Sequence, residues 1–463
     1  MSDIFFIFIL LCFIITCTWK LEVGFSVYIF FLFVPFYETE KYIHLSPNFR
    51  VLQYFLLALL IVIIFLKKRG VVLKYLENIP NGVKVTVFCF LILSFISSYL
   101  NEIPIIVAIF SLRWLFVIFG TIFVFYAIYN DGDIFYFLRL VVIIGLLQTP
   151  ITLYQRIFEV FIFHFDEGDR VSGLFSQYYT LTIYQVFCIM IVFTLQLKNK
   201  KLFQLSYVRT YLLLIIPFVV SNINAAWFYL TFGIIIVLKL SQIRLAKFFK
   251  IAGIATLSLI VSVYFFNLLN IISYNDKNET FTRFLNPRVF IEYNLYSYSL
   301  EDIADLSLLY ESGKTETEMG VEFGRFSAII YNYYQISKND YSLYFGLGPV
   351  SNIETQEASV DNNSVSFLSS PYILGTSISR ILGGFGIVGI VLLVIFFVQL
   401  YGWFSKMEAS ETVRVIRKSF IIVFSLFLIY FNVLQSFQVA FLMGVLTVRN
   451  RVNVNNNKLI PQL

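Results

Sequence analysis

Long apolar runs, broken by short polar segments, organise this chain from its first residues. Runs near 4–19, 21–36, 51–66, 83–99, 105–129, 138–157, 178–197, 207–220, 224–240, 249–270, 371–400 and 419–447 read as membrane spans. About 20 apolar residues are needed to cross a bilayer as a helix, and lipid admits no open sheet edge, so every span is expected to be helical. The pattern thus predicts an all-α, polytopic membrane protein of about twelve transmembrane helices. Residues 419–447 are long enough to fold back as a hairpin. One polar interval stands apart, the hundred-residue stretch 271–370. It divides the chain into an N-terminal bundle (1–270), a large loop (271–370), C-terminal helices (371–448) and a basic tail (449–463).

Composition agrees with this pattern. Of 463 residues, 59% are hydrophobic and 13% charged, and mean hydropathy is +0.81. A soluble protein of this length needs a far more polar surface. Asp3 stands where a signal peptide carries its basic region, and no small-residue cleavage site closes the first run, so it reads as an uncleaved span. Cys12, Cys17, Cys89 and Cys188 all fall inside apolar runs, which gives neither a disulfide framework nor a metal knuckle.

Charge assigns the sides. Segments 67–84, 130–139, 198–209, 239–250 and 405–418 together hold 18 Lys and Arg, whereas 37–50, 100–104, 158–177 and 221–224 hold 3. Basic loops stay cytoplasmic, so the second set and the long loop face outward. The long loop has 14 acidic and 6 basic residues against a whole-chain charge of +6, which argues against a nucleic-acid partner. No cytoplasmic segment is large enough for a nucleotide-binding domain.

Several motifs lose on context. "GGFGIVG" (383–389) has a dinucleotide-like glycine spacing but follows no strand, and close helix packing through small residues explains it better. "DGD" (131–133) reads as a turn and helix N-cap rather than a metal-binding carboxylate pair. His44 and His164 are external loop residues, His164 being a weak candidate base. Arginine is the informative class: Arg113, Arg156, Arg170, Arg283, Arg288, Arg325 and Arg380 lie on or near the outer face. A guanidinium is always charged, and its planar fork matches two phosphate oxygens at once. The plainer alternative is that these residues snorkel to headgroups or pair with carboxylates. Arg113, about nine residues into a span, costs about 2.5–3.5 kcal/mol on insertion scales unless a cavity or partner receives it. Arg325 opens a helical stretch whose Phe326, Ile329, Ile330 and Tyr333 are expected on one face, and a helix N-terminus is itself an anion site. "DEGDRVSGLF" (166–175) sets Asp166, Glu167 and Asp169 beside Arg170, where the acids orient the cation or merely solvate a loop.

Three stretches together resemble the O-antigen polymerase and O-antigen ligase superfamily of membrane glycosyltransferases. "RVSGLFSQYYT" (170–180) is similar to that family's Arg-x-x-Gly-x-Phe motif at the start of a span. "GRFSAIIYNYYQISKNDYSLYFGLGPVSN" (324–352) looks like its Gly-Arg, amphipathic helix and Phe-Gly-x-Gly turn. "ISRILGGFGIVGIVLLVIFF" (378–397) looks like the glycine-bearing span that closes the long loop. The resemblance implies a metal- and cofactor-independent transferase in a bacterial cytoplasmic (inner) membrane, its site facing the periplasm or exterior. Its substrate would be an undecaprenyl-diphosphate-linked oligosaccharide, with a flippase and chain-length regulators as possible partners. By analogy Arg170 and Arg325 are catalytic, holding the diphosphate, and Arg113, Arg380, Arg288, Asp169 and Tyr333 bind substrate. Ligases of the superfamily carry a His-Asn pair just before the glycine-bearing helix. Here residues 375–379 read "GTSIS" and no His follows position 164. That departure favours the polymerase branch over a ligase and leaves the general base unassigned. A glycolipid flippase is the alternative from another class.

Overall fold

Within the described residues the apolar runs become helices, because in lipid the only partners for their backbone groups are their own. The computed structural model describes residues 2–33, 52–129, 133–158, 173–175, 178–199, 205–220, 224–242, 325–349, 376–407, 409–431, 433–434 and 436–448. Among them every regular element is an α-helix. In chain order these are α1 (Ser2–Trp19), α2 (Leu21–Phe33), α3 (Leu52–Lys67), α4 (Arg69–Asn78), α5 (Asn81–Leu100), α6 (Ile105–Ser111), α7 (Arg113–Tyr129) and α8 (Ile134–Ile157). After them come α9 (Tyr178–Asn199), α10 (Leu205–Val220), α11 (Asn224–Leu240), α12 (Arg325–Ser337), α13 (Asp340–Phe345), α14 (Ser377–Lys406), α15 (Glu411–Tyr430) and α16 (Phe437–Thr447).

Four of the described helices, at Asn81–Leu100, Ile134–Ile157, Tyr179–Leu197 and Ser377–Lys406, are long and apolar enough to cross a bilayer, and α6 with α7 makes a fifth if the bent pair counts as one. Six shorter apolar helices accompany them. The expected span at 249–270 lies outside the described residues, as does most of the long loop. Large apolar side chains stand exposed along these helices, among them Phe8, Phe88 and Val398. So much outward apolar surface suits hydrocarbon and not water.

Two expected spans are interrupted. Residues 105–129 form two helices that bend by 47° at Leu112. The Ala108 carbonyl near the bend accepts from Ser94 Oγ on α5 at 2.9 Å and from Ser111 Oγ at 2.7 Å. Residues 419–447 form α15 and α16 with a break between them. The chain reverses there, since Arg417 near the start of α15 donates to the Leu446 and Val448 carbonyls at the end of α16. α16 is apolar on all sides and every one of its residues is buried, as expected for a core helix. It packs most extensively on α7, where a Cβ at Gly444 would run into the Phe125 ring.

The bundle has two distinct ends. At one, basic side chains cap helix C-termini, where the helix dipole favours cations. Lys67 Nζ donates to the Cys17 and Thr18 carbonyls of α1, and Lys68 Nζ to Ala127 of α7 at 2.9 Å. Arg417, fully buried, donates through Nε to Leu446 O at 2.6 Å, through Nη2 to Val448 O at 2.9 Å and through Nη1 to Met407 O at 3.4 Å. These residues come from the segments that read as cytoplasmic by charge. At the opposite end lie the start of α14, the end of α15 and the break before α7. Asp133 caps α8, its carboxylate accepting from Phe135 N at 2.9 Å, so the third residue of "DGD" is the N-cap expected of it.

Candidate functional site

The end opposite the basic caps is built around the first turns of α14. Thr376 and Ser379 form a reciprocal capping box, Ser379 N donating to Thr376 Oγ1 at 3.0 Å and Thr376 N to Ser379 Oγ at 2.8 Å. Ser377 ties this turn to α15: its N and Oγ both donate to Phe431 O, at 3.1 and 3.0 Å, and Oγ accepts from Val433 N at 2.9 Å. Asn332, fully buried on α12, donates to Ser379 O at 2.9 Å. The "TSISR" window is therefore a rigid, dry knot of hydroxyls and backbone groups.

Arg380 emerges from that knot, on the fourth residue of α14 and only 7% exposed. Arg113 is the first residue of α7, immediately after the bend. Its guanidinium lies 5.7 Å from the centre of the Tyr54 ring, a cation–π arrangement. Arg380 also lies within electrostatic reach of the Tyr54 phenol. Tyr54 in turn packs edge-on against Phe437 at the start of α16, 4.7 Å between ring centres. The buried Tyr28 also lies within electrostatic reach of Tyr54. Two arginines at the N-terminal ends of two helices thus bear on Tyr54, Arg113 against its ring and Arg380 at electrostatic range. Helix N-termini carry partial positive charge, so this arrangement concentrates positive potential in a largely apolar surround. Chemically, positive potential in an apolar surround favours an anion over a neutral group.

A second feature fixes its wall. α14 breaks at Gly386 (φ 64°, ψ −160°), and the turn Phe345–Gly348 is laid against the break. Gly346 (φ 79°) sits on the backbone of Gly384 and Phe385, while a Cβ at Gly386 would lie 2.5 Å from Tyr344 O and 2.7 Å from Leu343 O. Carbonyls in this part of α14 find new donors: Leu347 N to Gly383 O and Ser97 Oγ to Gly384 O, both 2.8 Å. Asn101 Nδ2 reaches Gly346 O at 3.2 Å. The "FGLG" and "GGFG" motifs are thus two halves of one contact. The glycines of "GGFGIVG" allow the close helix packing expected of them, against α13 and α5, and one of them also serves a helix break.

A third feature secures residues 173–175. Gln155 pairs with Gly173 in both directions at 2.9 Å, and Leu174 N donates to Gln148 Oε1 at 2.8 Å. Phe175 is fully buried against Phe33 and Tyr184, with ring centres 5.8 and 5.1 Å away.

Of the residues singled out from sequence, Arg113 and Arg380 both come within electrostatic reach of Tyr54. Arg325 begins α12, seven positions before Asn332. Tyr333 is 51% exposed and is not part of the packed cluster. Phe326, Ile329, Ile330 and Tyr333 do fall on one helix face, but the most buried residues of α12 are Ala328, Tyr331, Asn332 and Ile336. The helix is aromatic or aliphatic on most sides, so periodicity alone left its rotation ambiguous; the Asn332–Ser379 bond accompanies the orientation seen. Arg170, Asp169 and Arg288 lie outside the described residues, as do His44 and His164. Tyr54, Asn332, Gln148 and Gln155 escaped the sequence reading. Their signal was a polar or amphipathic side chain inside an apolar run, with the two glutamines seven residues apart on one face.

No protein-family model matches the chain, and a comparison with curated proteins finds no match either.

Proposed function

We propose that the chain is a membrane glycosyltransferase that polymerises undecaprenyl-diphosphate-linked oligosaccharide repeat units into surface polysaccharide. In this reading it crosses a bacterial cytoplasmic membrane about twelve times, and residues 271–370 form a loop on the outer face. The observation that carries it is the placement of Arg113 against the Tyr54 ring, with Arg380 in electrostatic reach of the same phenol, at the end of the bundle away from the basic caps. A lipid-linked diphosphate presents oxygens at that depth, and Arg forks suit them. The three stretches that resemble the polymerase and ligase superfamily add to the reading. Two of them are the halves of the glycine contact, and the third is the one secured by Gln148 and Gln155.

The chemistry asked of the site is modest. An acceptor sugar hydroxyl forms a bond to the anomeric carbon of the donor glycan. The bond from that carbon to the diphosphate oxygen breaks, and its electron pair leaves with the diphosphate. The hydroxyl proton passes to water or to the departing diphosphate. Negative charge grows on the leaving oxygen, so preoriented cations in a semi-dry site lower the barrier. Arg113 and Arg380 hold the diphosphate from the bundle side. Arg170 and Arg325 contribute from the loops, with Asp169 orienting Arg170, Arg288 adding charge and Tyr333 stacking on a sugar face.

Inactivating the gene tests the reading. A polymerase leaves single repeat units capped onto acceptor; a ligase leaves bare acceptor, and a flippase leaves carrier-linked units on the cytosolic leaflet. Arg170→Ala and Arg325→Ala are expected to abolish long polymer while the protein still inserts. Long polymer of normal length in either variant contradicts those two assignments.

A further inference from the structure

The end of the bundle that carries the basic caps contains a cavity unrelated to the arginine cluster. It measures about 660 Å³ and lies between α4, the start of α5, α7, the last turns of α14 and the end of α16. Tyr75, Asn78, Gln399, Trp403, Lys406 and Thr447 line it. Its size is that of a small-molecule pocket. Val398, on the same wall, is 64% exposed on the outside of the bundle, so the cavity opens sideways toward lipid. Its polar groups and Lys406, which is exposed, gather nearest the helix ends. An apolar slot with a polar, cationic rim is the shape of one phospholipid seen from the side.

Two glycines keep it open. Gly402 lies inside α14 where a Cβ would meet no atom within 4 Å. Glycine in a helix interior is less stable than alanine, and here no steric conflict compels it. What its absence of side chain does preserve is space in the cavity wall. Gly82, at the first turn of α5, lines the same space opposite Gln399. Charge selects the occupant. In segments 67–84 and 405–418, which flank the cavity, Lys67, Lys68 and Arg417 cap helix ends, and the six remaining basic residues outnumber three acidic ones.

We infer that this cavity is a binding site for one anionic phospholipid of the leaflet at the basic end. Its acyl chain lies along Val398 and Gly402, and its phosphate lies near Lys406. The site stands independently of the transferase reading.

Trp403, buried in the cavity wall, provides the probe. The full-length protein is reconstituted in vesicles containing brominated phosphatidylglycerol or brominated phosphatidylcholine. The Trp403 signal is taken as the difference between the native protein and Trp403→Phe. The anionic lipid is expected to quench that signal at about fivefold lower mole fraction than the zwitterionic one, the worth of one lysine at an anionic surface. Gly402→Leu fills the slot and is expected to remove the quenching. Lys406→Gln, an exposed substitution that leaves the bundle intact, is expected to remove the preference for the anionic lipid. Equal quenching by the two lipids, absence of quenching, unchanged quenching in a folded Gly402→Leu protein, or an anionic preference retained in Lys406→Gln would each overturn the proposal.

Discussion

The contact between the Phe345–Gly348 turn and the broken helix offers the sharpest stability test. Gly346 and Gly386 both combine positive φ, 79° and 64°, with ψ near 180°, at −178° and −160°. Only glycine occupies that region readily, and another residue there costs about 1–3 kcal/mol. A Cβ adds overlap with backbone rather than with a flexible side chain: Gly384 and Phe385 against Gly346, and Tyr344 and Leu343 against Gly386. Overpacking of this kind adds about 1–3 kcal/mol. Gly346→Ala and Gly386→Ala are therefore each expected to destabilise by about 2–6 kcal/mol. Gly402→Ala is the internal control, since its Cβ meets nothing within 4 Å, and it is expected to gain about 0.5–1 kcal/mol. Because the two turn glycines share one contact, the double variant should lose less than the two single losses combined. Thermal unfolding of the purified protein in detergent, followed by tryptophan fluorescence, reads all four. If Gly346→Ala and Gly386→Ala unfold with or above Gly402→Ala, the glycine contact is not what seats the turn.

Two further outcomes follow from single side chains. Arg417→Met removes three hydrogen bonds from buried carbonyls on α14 and α16 and should cost about 3–5 kcal/mol, read as a lower unfolding temperature and less protein in the membrane fraction; native stability in that variant would remove the clamp from the account. Gln155→Leu breaks the paired bonds to Gly173, about 1–3 kcal/mol, and should speed tryptic cleavage at Arg170 in the folded protein; an unchanged cleavage rate would mean that the pair does not secure this segment.

Helix existence was legible in the sequence because lipid leaves apolar runs a single backbone solution. The breaks at Leu112 and Gly386 were harder to read, since each depends on donors from distant segments, such as Ser94 for Ala108 and Leu347 for Gly383. The same reasoning explains Arg113. By position it was a costly charge deep in a span; in three dimensions it begins a new helix and meets Tyr54, 59 positions away in the chain. Arg380 was visible as an outer-face arginine, but its approach to within electrostatic reach of Tyr54 depends on how α3 and α14 pack. "TSISR" was notable in sequence for lacking histidine. Its actual work, a capping box tied to α15 and α12, could be suspected only from its serines and threonine. The rotation of α12 was missed because an aromatic helix has no clear polar face.

The central claim is that Arg113 and Arg380 together grip a lipid-linked diphosphate as it departs. Its most direct measurement is elongation of a synthetic undecaprenyl-diphosphate oligosaccharide by the purified, reconstituted protein, with each arginine varied in turn. The account expects linked products from the native protein. It expects a loss of about 10²–10³ in rate for Arg113→Ala or Arg380→Ala, little recovery with lysine, and unfolding temperatures close to native. Native rates in both alanine variants, or no product from a correctly folded native protein, would contradict it.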